Sequence, residues 1–224
     1  MPFAESPQRE FAAATEWAAG RTLDALTGAE GAALPAPAAP EPQALLAGVR
    51  VLGPDVFVPA LLTGAPTPPE TVEIVAEAYR VFPSDESGIH AWRDRATAEL
   101  LALAGYPAPV PSAPPPPDPG KDGWQRWSVQ MAQLSCLALP HLDGPVHRVA
   151  RDHPLALARG AARATLRRDH RTSVRLVRWL AWLHHTGSPA ELELPPLLRQ
   201  LALTGDGSAR SALDLAVAEH LAAE

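Results

Sequence analysis

A chain of 224 residues is long enough for one domain with a well-buried core or for two small ones. Its apolar residues are mostly Ala and Leu, which are strong helix formers, and its formal charge of −6 argues against a generally basic nucleic-acid binder. The single cysteine, Cys136, excludes an intramolecular disulfide and any multi-cysteine zinc site. We therefore predict an all-α protein of about seven or eight helices, forming an irregular bundle or a short helical array, with more than half of its residues in helix.

The first helices are indicated by their end signals. Ser6-Pro7 places a cap and a first-turn proline before a run that extends to Leu26 and ends near Gly28. Thr67-Pro68-Pro69-Glu70 opens a helix that stops before Pro83, and the stretch 87–104 closes at Gly105. Between them, residues 45–62 contain several valines, but Gly53-Pro54 and Pro59 favour a turn-rich connection there.

The second half of the chain carries further signals of the same kind. We predict a helix from Trp124 to Leu139 and a short one from Asp143-Gly144-Pro145 to about Arg151. The tripeptide Arg-Asp-His occurs at 151–153 and again at 168–170 before similar runs, which favours two successive helices over one long helix from Pro154 to His185. Ser188-Pro189-Ala190-Glu191 matches a capping box, although Pro195-Pro196 interrupts this helix and restarts one that ends at Gly205. Ser208 caps the last helix.

Two proline clusters divide the chain. Residues 34–42 read LPAPAAPEP, and the thirteen residues from Pro107 to Pro119 include eight prolines, so both favour extended linkers rather than helix. We expect five parts: an N-terminal helix (1–28), a Pro/Ala-rich linker (29–42), a middle helical segment (43–106), a Pro-rich linker (107–123) and a C-terminal helical domain (124–224). The middle segment is small for an independent core, and we expect it to pack against the C-terminal part.

Arginine is concentrated in one part of the sequence. Nine of the eighteen arginines lie between Arg148 and Arg178 with two acids, giving this window a formal charge of +7 and the remainder −13. On helices, these arginines recur every three or four residues, with an aromatic residue and a histidine on the same face. The candidate anion- or partner-binding residues are Arg159, Arg163, Arg167, Arg171, Arg175, Arg178, Trp182 and His185.

Three interpretations of this arginine stripe remain open. The guanidinium groups can pair with carboxylates of the acidic remainder, for instance Glu70 or Glu191, and serve the fold alone. They can bind an acidic protein partner or a second copy of the chain. They can also bind nucleic acid or another polyanion, because a row of guanidinium groups with an aromatic residue suits phosphates and stacked bases.

We find no catalytic, phosphate-binding or cofactor motif in the sequence, and we predict no cofactor. Adjacent His184 and His185 point about 100° apart on a helix and cannot grip one ion together, and we predict no metal site although His141, Asp143 and His147 can converge from a turn. We predict a non-catalytic adaptor or accessory subunit of a multiprotein assembly that binds a protein. The alternatives are polyanion binding through the arginine-rich face, and an enzyme whose site is dispersed in sequence.

The compartment is predicted from what the sequence lacks. The N-terminus has no basic region followed by an apolar core, so we expect no secretory signal. The near-apolar stretch from Val174 to Leu183 is interrupted by arginines and is too short to span a bilayer. Eighteen arginines against one lysine are typical of GC-rich bacterial genomes. We predict a bacterial, cytoplasmic protein with no membrane contact.

Overall fold

The computed structural model describes residues 6–29, 34, 39–83 and 88–223, with the side chains of Ser6 and Pro7 excepted. Helix accounts for 72% of these residues and no strand occurs among them. The predicted all-α class is therefore confirmed. The chain divides into two compact units, an N-terminal unit of residues 1–113 and a C-terminal unit of residues 114–224.

Five α-helices occur among the described residues of the N-terminal unit, and the long α1 packs against α2. A 3-10 turn, Gly53–Phe57, joins α2 to α3 and contacts α5. The helices are α1 (Ser6–Leu26), α2 (Pro42–Leu52), α3 (Val58–Thr63), α4 (Pro69–Val81) and α5 (His90–Leu103).

The C-terminal unit is built around α10, which packs against α9 and α12 and also contacts α7 and α11. A 3-10 turn, Ser135–Leu137, follows α7. The helices are α6 (Pro119–Asp122), α7 (Trp124–Gln133), α8 (Pro145–Asp152), α9 (Pro154–Leu166), α10 (His170–His185), α11 (Leu194–Leu203) and α12 (Ala209–Ala223).

The predicted count of seven or eight helices is too low, since the described residues form eleven helices besides the single-turn α6. Part of the difference lies in residues 45–62, which fold as α2, a 3-10 turn and α3 rather than as a turn-rich connection. Pro59 lies in the first turn of α3, where its missing N–H costs no helical hydrogen bond. A proline that looked like a helix breaker therefore starts a helix.

Several other boundaries can be compared directly. The two-helix interpretation of 154–185 is confirmed, and the Asp169 carboxylate caps α10 by accepting from the Thr172 N–H at 3.1 Å. The helix expected to reach Leu139 ends at Gln133. No helix begins at the capping-box pattern of residues 188–191, whereas α11 (Leu194–Leu203) agrees with the helix expected to restart at Pro195-Pro196.

The structure describes the second proline cluster in full but only part of the first. Residues 106–118 have no regular secondary structure, and the boundary between the two units falls within them. Most of the first predicted linker, 30–33 and 35–38, lies outside the described residues. The middle segment shares a unit with α1, and its expected packing against the C-terminal part stays a prediction.

One apolar stretch was overlooked in the sequence. Pro42–Thr63 is a continuous helical stretch of 22 residues with a mean hydropathy of 1.7, long and apolar enough to cross a membrane by length and composition. More than half of it is buried within the chain, as in the core helices of soluble proteins. It is therefore weak evidence for a membrane span.

Candidate functional site

The arginine stripe divides into a buried end and an exposed end. Along α10, Arg171 is exposed, Arg175 is half-buried and Arg178 has no exposed surface at all. Along α9, Arg159 is exposed and Arg163 is half-exposed, and Arg167, directly after the end of α9, is exposed. The eight candidate residues thus do not form one continuous surface.

The buried end holds the C-terminal unit together. Arg178 donates from Nη1 to Asp214 Oδ1 at 2.9 Å and from Nε to the Ala138 carbonyl at 3.3 Å. Arg175 Nε lies 3.4 Å from the other oxygen of Asp214, and the Ser135 hydroxyl donates to Asp214 at 3.1 Å. These contacts tie α10 to α12 and to the chain after α7. Of the three interpretations, pairing within the fold therefore describes Arg175 and Arg178.

Trp182 belongs to the same interior. It is 1% exposed, and its indole N–H donates to the Leu139 carbonyl at 3.2 Å. Its ring centroid lies 5.6 Å from that of Trp179 and 5.0 Å from that of His147. The expected aromatic member of a binding face is thus a core residue, and His185 at the end of α10 is half-buried.

His147 is the ionisable centre of this aromatic cluster. Its Nε2 contacts the Leu137 carbonyl at 2.8 Å, a geometry in which a neutral ring donates its Nε2 proton. Burial lowers the pKa of His147 below its ordinary value because the charged ring is poorly solvated, although the Leu137 carbonyl opposes this shift.

The histidine-rich turn does not assemble a metal centre. His147 is engaged with Leu137, and Asp143 lies 3.2 Å from Arg151 in a partly exposed ion pair. Across the described ranges, no group of three metal-ligating side chains comes together. His141, Asp143 and His147 therefore do not form a ligand set in this structure.

The outer face of α9 is the first exposed surface in the arginine-rich segment. Leu155, Arg159, Ala162 and Leu166 recur at intervals of three or four residues, which places them on one side of the helix. Leu155 is 48% and Leu166 is 85% exposed. Arg163 flanks this row with its guanidinium 5.9 Å from the ring centroid of Trp124. We call Leu155, Arg159, Arg163 and Leu166 the α9 face.

The corner between α9 and α10 extends the positive charge. Arg167, Arg168 and Arg171 are all exposed there, and none of them forms an ion pair within the part of the chain that the structure describes. The nearby Asp169 carboxylate is occupied by the cap of α10. The three positive charges of this corner therefore exceed the one negative charge of Asp169 beside them.

The N-terminal unit contains a second buried arginine that sequence reasoning did not single out. Arg50 on α2 donates both Nη atoms to Asp94 on α5, at 2.5 and 2.6 Å, and its Nε donates to the Phe82 carbonyl at 2.8 Å. The same guanidinium stacks 4.1 Å from the ring centroid of Tyr79. Burial raises the pKa of Tyr79 to about 12, against the opposing charge of Arg50.

The two buried pairs share a local sequence pattern. Arg50 and Arg178 each lie nine residues after an acidic N-cap, Glu41 and Asp169 respectively, and both occur in a Val-Arg-x-Leu sequence. Their partners each begin the pattern Asp-x-Ala-x-Ala-Glu-x-Leu-Ala, at Asp94 in α5 and at Asp214 in α12. This repeated pattern is the signal in the sequence that could have identified both pairs.

Comparison with known proteins adds no relative to this description. No protein-family model matches the chain, and neither a curated protein nor a solved structure matches it.

Proposed function

We propose that the chain is a non-catalytic binding module, an adaptor or accessory subunit, that docks an acidic amphipathic helix of a partner protein on the α9 face. The observation that carries the proposal is the exposed row on α9, where Leu155 and Leu166 flank Arg159 and Arg163. Interfaces of this kind combine apolar anchors with surrounding charge.

The chemistry of the partner follows from the composition of the face. Two leucines on one side of a helix offer apolar area that gains about 25 cal/mol for each Å² removed from water. Arg159 and Arg163, with the exposed arginines of the α9–α10 corner, make this surface positive, which attracts carboxylates and accelerates their approach. An acidic helix with leucine-like side chains on one face satisfies both features.

Polyanion binding is the second candidate, favoured by the uncompensated arginines at the α9–α10 corner. Phosphates would use the guanidinium groups but would leave Leu155 and Leu166 in water, which makes this candidate the weaker one. An enzyme with a dispersed site is the remaining alternative. Buried groups suited to catalysis, such as His147 and Asp214, are engaged in contacts that hold the fold together.

The test uses a fluorescein-labelled helical peptide with Glu and Leu on one face. Binding to the unmodified protein should be saturable and should weaken as salt is raised. Arg159→Gln/Arg163→Gln should weaken it about tenfold, since each exposed ion pair contributes about 0.2–1 kcal/mol. The matched control, Arg148→Gln/Arg199→Gln, removes the same charge from exposed arginines outside the face and should retain binding within about twofold.

Leu166→Ser separates the two candidate functions. It should weaken peptide binding by at least about tenfold, because a buried leucine contributes about 1.5–3 kcal/mol. A single-stranded DNA oligonucleotide of equal charge should bind more weakly than the peptide and should be indifferent to this change. Tighter binding of the oligonucleotide, or equal losses in the α9 and control variants, would contradict docking on the α9 face.

A further inference from the structure

A cleft opens beside the α9–α10 corner, away from the interior pairs. It has a volume of about 570 Å³, within the range of about 300–1,000 Å³ that small-molecule sites occupy. The end of α9 and the following turn form one wall, the start of α10 the second and the end of α11 the third. Its lining residues are Thr165, Leu166, Arg168, His170, Ser173, Gln200, Leu201 and Thr204.

Hydrogen bonds within the walls use most of the polar groups of the cleft. The Thr165 hydroxyl donates to the Ala161 carbonyl at 2.9 Å, so the Ser173 hydroxyl, 2.6 Å away, is the donor between the two. The Thr204 hydroxyl donates to the Gln200 carbonyl at 2.9 Å. These protons are therefore not offered to a ligand.

His170 is also fixed by the walls. Its Nε2 lies 3.0 Å from the Leu201 carbonyl, a contact in which the ring donates. Its buried Nδ1 has no hydrogen-bond partner among the described residues, since Asp206 Oδ2 lies 3.8 Å away, beyond hydrogen-bonding distance. Asp206 itself accepts from the Ser208 N–H and the Ser211 hydroxyl. The imidazole ring of His170 therefore lines the cleft, and its hydrogen bond to Leu201 holds it against α11.

Two side chains remain that can donate to a ligand. Arg168 is exposed, has a positive φ of 59° and forms no ion pair with another described residue. Gln200 is exposed and belongs to the wall formed by α11. Residues that carry a guanidinium and an amide and line one cleft suit a carboxylate, which accepts two hydrogen bonds on each oxygen. Leu166 and Leu201 supply apolar surface beside them.

We propose that this cleft binds a small organic carboxylate with a short apolar chain. The carboxylate pairs with Arg168 and accepts from the Gln200 amide, and the apolar chain packs on Leu166 and Leu201. The cleft shares Leu166 with the α9 face, whereas Arg159 and Arg163 do not line it, so loss of carboxylate binding and loss of peptide docking are distinguished by the arginine variants.

The test is calorimetric titration of the full chain with hexanoate, with acetate and hexanol as probes that lack the apolar chain and the charge respectively. Hexanoate should bind saturably and at least about tenfold more tightly than either. Arg168→Gln should weaken hexanoate binding at least about tenfold, because it removes the charge-assisted pair. Arg171→Gln removes the same charge from the neighbouring helix and should change binding less than about twofold.

Thr204→Trp gives an independent readout by filling the cleft from an exposed position. It should abolish hexanoate binding while leaving the melting temperature unchanged. Equal losses from Arg168→Gln and Arg171→Gln would show a general positive field and overturn the proposal. Equal binding of hexanol, the absence of saturable hexanoate binding, or full binding by Thr204→Trp would overturn it as well.

Discussion

At the residue scale, Arg178 shows that the effect of an arginine on stability depends on how deeply its side chain is buried. On the surface of α10 an arginine would be a solvated charge that contributes little to stability. With no exposed surface, its guanidinium requires Asp214 and the Ala138 carbonyl to replace the water it has lost. Arg178 therefore stabilises the fold only while Asp214 and the Ala138 carbonyl are in place.

Removing the acidic partner should expose this dependence. We expect Asp214→Ala to lower the free energy of unfolding by about 3–5 kcal/mol, the usual cost of leaving one buried charge without its partner. Asp143→Ala breaks the partly exposed pair with Arg151 and should cost less than about 1 kcal/mol. Urea unfolding followed by tryptophan fluorescence measures both. Similar losses in the two variants would show that Arg178 is satisfied without Asp214.

At the element scale, local signals predicted the helices whose ends depend on a few adjacent residues. Ser6-Pro7, the Asp169 cap and Ser208 mark helix starts that the structure contains, because caps and first-turn prolines act within one turn. Residues 45–62 were missed because Pro59 reads equally as a breaker and as a first-turn residue. The candidate surface was only partly predictable, since Asp214 lies 36 residues from Arg178 and helical spacing gives no depth.

Close helix crossings in both units depend on glycine. A Cβ added at Gly160 on α9 would lie 2.5 Å from the Ser128 Cβ on α7, and one at Gly48 on α2 would lie 2.8 Å from the backbone of Ala14 on α1. Real Cβ atoms essentially never approach that closely, so the helices would have to move apart.

This geometry predicts a reversal of the usual helix preference. Although alanine is the better helix former, Gly160→Ala should destabilise the chain by about 1–3 kcal/mol through overpacking. Gly205→Ala is the control, since its added Cβ would meet its nearest neighbour, the Ala202 carbonyl oxygen, at 4.0 Å. Thermal unfolding by circular dichroism compares them. A rise in melting temperature for Gly160→Ala would show that α7 and α9 can separate without loss.

At the scale of the whole molecule, each compact unit has its own buried arginine–aspartate pair, and each pair joins helices that are distant in sequence. The arginine-rich surface belongs to the C-terminal unit, while the chain as a whole is acidic. Fold maintenance and the proposed binding surfaces therefore use different arginines of one charge-rich segment.

Acid should destabilise the protein in two stages. Burial lowers the pKa of His147 and His90 below 6.5, so the unfolded chain takes up protons first and stability falls as pH drops below about 6.5. Hydrogen bonds and nearby cations lower the pKa of Asp143 and Asp206 below 3.8 despite partial burial, so their contribution is lost only at lower pH. Urea unfolding from pH 8 to 4 measures the first stage. His147→Gln should make the free energy of unfolding depend less on pH in this range. An unchanged dependence would show that other groups cause the first stage.

The order of the paired residues in the sequence also determines when each buried pair can form during translation. Asp94 follows Arg50 by 44 residues and Asp214 follows Arg178 by 36, so each arginine is translated before its partner exists. At about 5–20 residues per second, Arg178 precedes Asp214 by about 2–7 s. During that interval the guanidinium has no partner in α12 and resists burial, which delays closure of the C-terminal core until the last helix is made. The N-terminal pair can already be complete by then.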